Sequence, residues 1–149
     1  ILAAQFAEIG VEAEIQVMEW SAFVQTISGL TAEEFDEPIF IMGAGPSMMD
    51  ADGGLRGLYT TTLTGKNDRN YGFYSNKEVD ELIDAAMKET DPDKRKELYK
   101  RAQEILYLED PAGIWLFDQL TNLAHSSKLQ NVTVSPISTI TFEKATILE

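Results

Sequence analysis

Residues 73–111 read FYSNKEVDELIDAAMKETDPDKRKELYKRAQEILYLEDP, and the spacing of their apolar positions decides the fold. Val79, Leu82, Ile83, Ala86 and Met87 recur at the three- and four-residue intervals of one helix face. Ser75 and Glu78 stand ahead of them as a capping box, which predicts a helix over about 76–89. Asp91-Pro92 marks a second start. The residue before a proline avoids helical geometry and suits a cap, and proline suits the first turn. Leu98, Tyr99, Ala102, Ile105 and Leu106 form the second stripe. Two amphipathic helices with so short a connection pack as a hairpin.

Upstream, Leu2, Phe6 and Ile9 have helical spacing and Gly10 follows them, as at a helix end. VEAEIQV, residues 11–17, alternates strictly and predicts a strand with one covered face. Trp20, Phe23, Val24, Ile27 and Leu30 predict a helix over about 20–29, and Ile39–Met42 a short strand after Pro38. Helix, strand, helix, strand is a crossover unit, so a largely parallel sheet is expected. A short helix is expected within Leu55–Leu63, and GKNDRNYG, residues 65–72, is rich in turn formers. Beyond Asp110-Pro111, GIWLF, LAHS, VTV and TITFEKATI predict β structure.

Composition excludes several functions. Twenty-five acids against twelve lysines and arginines give a net charge of −13. Nucleic acid, which needs a basic face, is ruled out as a partner, and an anionic membrane surface is disfavoured. The absence of cysteine removes disulfides, thiolate metal sites and a cysteine nucleophile, and a single histidine, His125, makes no histidine metal cluster. The first residue is Ile within a helical pattern, so the chain reads as a piece of a longer one.

The segment FIMGAGPSMMDADGGL, residues 40–55, follows the second expected strand, where ligands sit in open α/β sheets. Asp50 and Asp52 suit a hard cation by type, but Gly54, Leu55 and Thr61 occupy the positions where a calcium loop needs an oxygen ligand, a glycine and a glutamate. Ser47 is not a nucleophile elbow, because Met49 replaces the last glycine, and no phosphate-binding glycine motif is present. Met48 and Met49 suit either an adaptable ligand contact or packing under the loop. No catalytic set emerges, so binding is favoured over catalysis and no metal or cofactor is expected.

The order AAQFAEIGVEAEIQVMEWSAFVQ, GAGPSMMDADGGL, FYSNKEVDELIDAA with TDPDKRKELYKRAQEIL, and LAHSSKLQNVTVSPIS resembles the C-terminal part of the peptide-binding family of ABC-importer solute-binding proteins. Dipeptide-, oligopeptide-, glutathione- and nickel-binding proteins are among its members. The resemblance implies an α/β fold: the C-terminal lobe of a two-lobed periplasmic-binding-protein-like structure, with a mixed sheet flanked by helices. Residues 1–149 would form one partial lobe, with about 112–149 returning toward a missing first lobe. It also implies a protein that is not an enzyme, is periplasmic or extracellular and lipid-anchored, closes on a small peptide or other small solute, and docks on the permease subunits of an ABC transporter.

Within that resemblance, Gly43 matches a glycine of the segment lining the cleft, and Ala44 replaces an aromatic residue. Ser47 falls where peptide binders carry the aspartate that pairs with the ligand's ammonium, and Asp50 matches a second acidic position. A hydroxyl is a weaker partner for an ammonium than a carboxylate. The run of small polar residue and acid-Ala-Asp is closer to the glutathione-binding type. The implied substrate-binding residues are Gly45, Pro46, Ser47, Met48, Asp50, Asp52, Asn70, Tyr71 and Trp20. Asp52 also reads as the cap of the helix at Leu55, the stronger of its two readings. Asn70 and Tyr71 read equally as a turn that packs the loop, and Trp20 more readily as core. The ligand expected is a small peptide or a glutathione-like molecule; the alternatives are a nickel chelate, haem or oligosaccharide on the same fold, or a sensory module.

Overall fold

The computed structural model describes residues 1–35, 39–43, 45, 49–118 and 120–148. Helix α1 covers Leu2–Glu8, α2 Trp20–Ile27, α3 Ala51–Tyr59, α4 Lys77–Lys88 and α5 Pro92–Glu104. A wider π-helical turn, Ile105–Glu109, continues α5. Four two-residue strands follow: β1 Leu129–Gln130, β2 Thr133–Val134, β3 Ile140–Thr141 and β4 Thr146–Ile147.

The core lies where α4, α5 and the π-helical turn meet. Val79, Ile83, Ala102, Ile105 and Leu106 are buried there, with Leu55, Tyr59, Tyr74, Leu82 and Ala112 packed around them. Burying an aliphatic side chain of this size stabilises by roughly 1.5–3 kcal/mol, so these residues hold the hairpin together. Helix α3 lies against α4. The widened turn lets Ile105 and Leu106 both face inward while Asp110 N–H reaches back to the Ile105 carbonyl at 2.9 Å.

The helix starts follow local chemistry. Asp91 accepts from the N–H groups of Asp93 and Lys94, with Pro92 in the first turn, as the sequence predicts. The cap of α4 is Asn76, not the expected Ser75: its side-chain oxygen accepts from Glu78 N–H at 3.0 Å and Val79 N–H at 3.3 Å. Asn76 is as good a cap as serine and also donates to Asp110 at 2.8 Å, a second bond that fixes this register. Glu19, which sequence reading passed over, caps α2 by accepting from Ser21 and Ala22 N–H. Gly10 ends α1 at φ 80°, with its N–H on the Ala7 carbonyl and Val11 N–H on that of Phe6. That bond pair is the Schellman motif, which favours glycine at the left-handed position.

Among the described residues the expected strands at 11–17 and 39–42 do not form, and neither does a parallel sheet. Residues 11–19 are exposed throughout, and no described segment hydrogen-bonds alongside them. Alternation marks a face suited to being covered, but a strand also needs a neighbour on its edge. The ladders that form are antiparallel and late. Leu129 pairs with Ile147 and Gln130 with Thr146; inside them Thr133 pairs with Thr141 and Val134 with Ile140. VTV and TITFEKATI therefore supply strands, while GIWLF and LAHS do not. Taken together the chain is a mixture of helices and small sheets, compatible with the α/β class.

Candidate functional site

Two groups of side chains bracket the candidate site, one at Asp50 and the start of α3 and one around Phe40. The first is a polar staple. Asp50 caps α3 by accepting from Asp52 N–H at 2.9 Å, so the cap falls on Asp50 rather than on Asp52, and α3 starts four residues earlier than expected. Arg95, in the first turns of α5, donates to both oxygens of Asp50 at 3.0 and 2.9 Å. Its Nε donates to the Ala86 carbonyl near the end of α4 at 3.1 Å. Its guanidinium lies 4.9 Å from the centre of the Tyr99 ring.

Asp52 belongs to the same staple. The Tyr99 hydroxyl donates to it at 3.1 Å and Arg56 Nε meets both its oxygens at 3.1 and 3.0 Å. Arg56 in turn donates to Asp84 at 2.7 Å and to the Ile83 carbonyl at 3.0 Å. Bidentate arginine–carboxylate bonds are the geometrically specific kind. Here they tie the start of α3 to both arms of the hairpin. The Arg95 guanidinium, then the Asp52 N–H, hold the Asp50 carboxyl below its ordinary range. Arg56 is raised, first by Asp52 and also by Asp84. Burial, then the neighbouring Asp52, pushes the Tyr99 hydroxyl up.

The second group is aromatic. Trp20 and Phe23 of α2 lie 5.7 Å apart, Phe23 is 6.1 Å from Phe40, and Phe40 is 6.5 Å from Tyr71, edge to face. Phe35 stands edge-on between Phe40 at 6.1 Å and Phe73 at 6.0 Å. Spacings of 4.5–7 Å and tilted planes are what ring quadrupoles prefer. Trp20 lies at the rim and is 57% exposed.

Asn70 builds the turn that presents Tyr71 and Phe73. It is 3% exposed. Its amide donates to the carbonyls of Thr60 at 3.0 Å and Tyr74 at 2.7 Å, and its oxygen accepts from Tyr74 N–H at 2.9 Å. Within this turn Phe73 sits at φ 52°, an unusual conformation for a bulky residue. A neighbouring asparagine, the fully buried Asn67, accepts from Gly29 N–H at 2.8 Å and donates to the Ile27 carbonyl, latching the end of α2 to this loop.

Of the residues implied as substrate-binding, Asp50 and Asp52 share the polar staple. Trp20 and Tyr71 share the aromatic group, and Asn70 supports it. Gly45 is exposed, and a methyl group added there would meet open space. Pro46, Ser47 and Met48 lie outside the described residues. Arg95, Tyr99, Arg56 and Glu19 were missed. The Asp52–Arg56 pair has the four-residue helical spacing and was legible; Asp50 and Arg95 are 45 residues apart and had no local signal.

No protein-family model matches the chain. The glutathione-binding protein GsiB of Salmonella typhimurium strain LT2 is 33% identical over 141 residues, which is 95% of this chain and 27% of that protein. GsiB of Salmonella choleraesuis is 32% identical and GsiB of Escherichia coli strain K12 30% identical, over the same shares. The chain thus spans about a quarter of the length of the curated relatives it matches. The resemblance read from the sequence is upheld: over 95% of its length this chain is similar to glutathione-binding proteins.

Proposed function

We propose that the chain is part of the C-terminal lobe of an extracytoplasmic solute-binding protein of an ABC importer. It takes a small peptide or glutathione-like ligand in a cleft against a second lobe, closes by a hinge, and delivers the ligand to the permease. Residues from about 112 onward return toward that second lobe. The protein works outside the cytoplasmic membrane, in a periplasm or held by a lipid, and carries out no reaction on its ligand. No helix of the described residues is long and apolar enough to cross a membrane.

The observation that carries this reading is the match to glutathione-binding proteins along 95% of the chain. The geometry supports it in one respect. Asp50 at the start of α3 is fixed by Arg95, and Phe40 belongs to the aromatic group that contains Trp20 and Tyr71. In this reading Gly45, Pro46, Ser47, Met48, Trp20 and Tyr71 face the ligand. Asp50, Asp52 and Asn70 hold the backbone that presents them.

Calorimetric titration of the full-length protein tests it, using glutathione and a tripeptide with a free amine. Binding of either is expected. Silence from both, with binding of a nickel chelate, haem or an oligosaccharide, would move the ligand outside peptides. Silence from every solute would remove the transport reading.

A further inference from the structure

In the reading above, the chain from about residue 112 returns toward a second lobe, and the cleft closes by a hinge. A hinge confines rotation to a few residues, so the chain beside them must be held firmly. On this side the hold is built in steps. Asp110 accepts from the Tyr74 hydroxyl at 3.1 Å and from the Asn76 amide at 2.8 Å. Ala112 N–H then reaches the Leu106 carbonyl at 3.2 Å. Three residues on, the Trp115 indole lies flat on the Tyr107 ring, with centroids 4.2 Å apart and planes 14° from parallel. Tyr59, at the end of α3 and packed on the core, meets the indole edge-on at 5.7 Å. Ile114 and Phe117 are each 82% exposed against 40% for Trp115, so the indole is the side chain that grips. Among the described residues, no hydrogen bond joins the chain beyond Ala112 to the helices. By Thr121 the chain belongs to the late ladders, its hydroxyl paired with that of Ser138.

Resting on that hinge reading, we infer that the stack of Trp115 on Tyr107 fixes the near end of the hinge: the chain is held to this lobe as far as Trp115 and turns just past it, at residues 116–118. Trp115 is thus a positioning residue for closure, not a ligand contact. A flat stack suits this role. It resists tilting and sliding of the indole, and an aromatic pair adds to what burial of area supplies. Two elements carry the rings that grip it. One is the π-helical turn that bears Tyr107, a widening frequent at functional sites. The other is α3, whose cap, Asp50, is bound by Arg95 and whose last residue is Tyr59. Helix α3 therefore runs from the polar staple at its start to the hinge anchor at its end.

The test is a pulsed electron-resonance distance measurement on the full-length protein, in a background free of other cysteines. Spin labels go on Lys88→Cys at the end of α4 and Lys144→Cys between β3 and β4, both exposed positions. The expected result is that Trp115→Leu widens the spread of label-to-label distances without ligand. Tyr107→Leu should widen it equally, and the two together should add nothing further. Trp115→Tyr, which keeps a ring to stack, should stay close to the parent. A merely structural role would lower the melting temperature and leave the distances alone. In calorimetry Trp115→Leu should weaken glutathione by about two- to tenfold, the scale of one aromatic pair. An unchanged spread in Trp115→Leu and Tyr107→Leu would overturn the inference and leave the importer reading standing. So would an equal widening in Trp115→Tyr. Glutathione that binds without shifting the parent's distances would overturn the hinge itself, and the inference with it.

Discussion

Replacing Asn70 with alanine gives a sharp separation between holding the site and touching the ligand. Truncation leaves three backbone groups without their partner: the Thr60 carbonyl, the Tyr74 carbonyl and the Tyr74 N–H. A buried polar group left unsatisfied costs about 1–3 kcal/mol, and water reaches part of this turn, so the sum is about 2–4 kcal/mol. Phe73, held at φ 52°, adds to the tendency to open once the grip is gone. At about 1.4 kcal/mol per tenfold, the Tyr74 amide should exchange with solvent about 30- to 700-fold faster. Native-state hydrogen exchange of the full-length protein reads this directly. Asn70→Asp sharpens the test. It keeps an acceptor for Tyr74 N–H but sets a carboxylate oxygen against two carbonyls 3.0 and 2.7 Å away. That carboxyl is pushed to a raised value, so the variant should be least impaired in acid and worsen as pH rises through it. Tyr74 protection unchanged in Asn70→Ala, with ligand affinity abolished, would refute the structural role argued for Asn70.

Other expectations concern the hairpin and its charges. Ile83→Ala and Leu106→Ala each remove a fully buried side chain and should destabilise by about 2–5 kcal/mol in denaturant melts, whereas Leu63→Ala, at an exposed position, should be near neutral. The Asp50 carboxyl is depressed by Arg95, so its contribution is present above the ordinary value of 3.8 and is lost as pH falls through its folded value. Asp50→Asn should therefore flatten the acid limb of the stability curve and leave the neutral plateau lower. Burial pushes Tyr59 up to about 12, and burial with the Asp110 bond pushes Tyr74 up to about 12. Two tyrosines should thus ionise late in near-ultraviolet absorbance titrations. Stability should decline as pH climbs from about 10 toward 12, because the unfolded chain loses these protons first.

The helical hairpin was legible because its signals are local. The apolar stripe, the Asp91-Pro92 start and the short connection all lie within neighbouring turns; α4 keeps within one residue of its expected limits and α5 starts at Pro92 as expected. Gly10 was legible for the same reason. The strands at 11–17 and 39–42 were not, because alternation records a side-chain preference and says nothing of an edge partner. The late β segments show the contrast: VTV and TITFEKATI fold back on each other and form ladders within one short stretch. At the candidate site, sequence reading named Asp50, Asn70, Tyr71 and Trp20 but not the residues they contact. Arg95 lies in an ordinary charge run on α5, where its pairing with Asp50 depends on how two distant helices pack. Asn67 looked like one turn residue among several, yet it is fully buried and bridges 38 residues to Gly29.

The central claim is that the segment before α3 and the aromatic group beside it face the ligand. Hydrogen exchange of the full-length protein, with and without millimolar glutathione, tests this most directly. Slower exchange is expected at Trp20–Phe23, at residues 39–43 and at Asn70–Phe73, with the outer face of α5 unchanged. Unaltered exchange across those three segments would contradict the account.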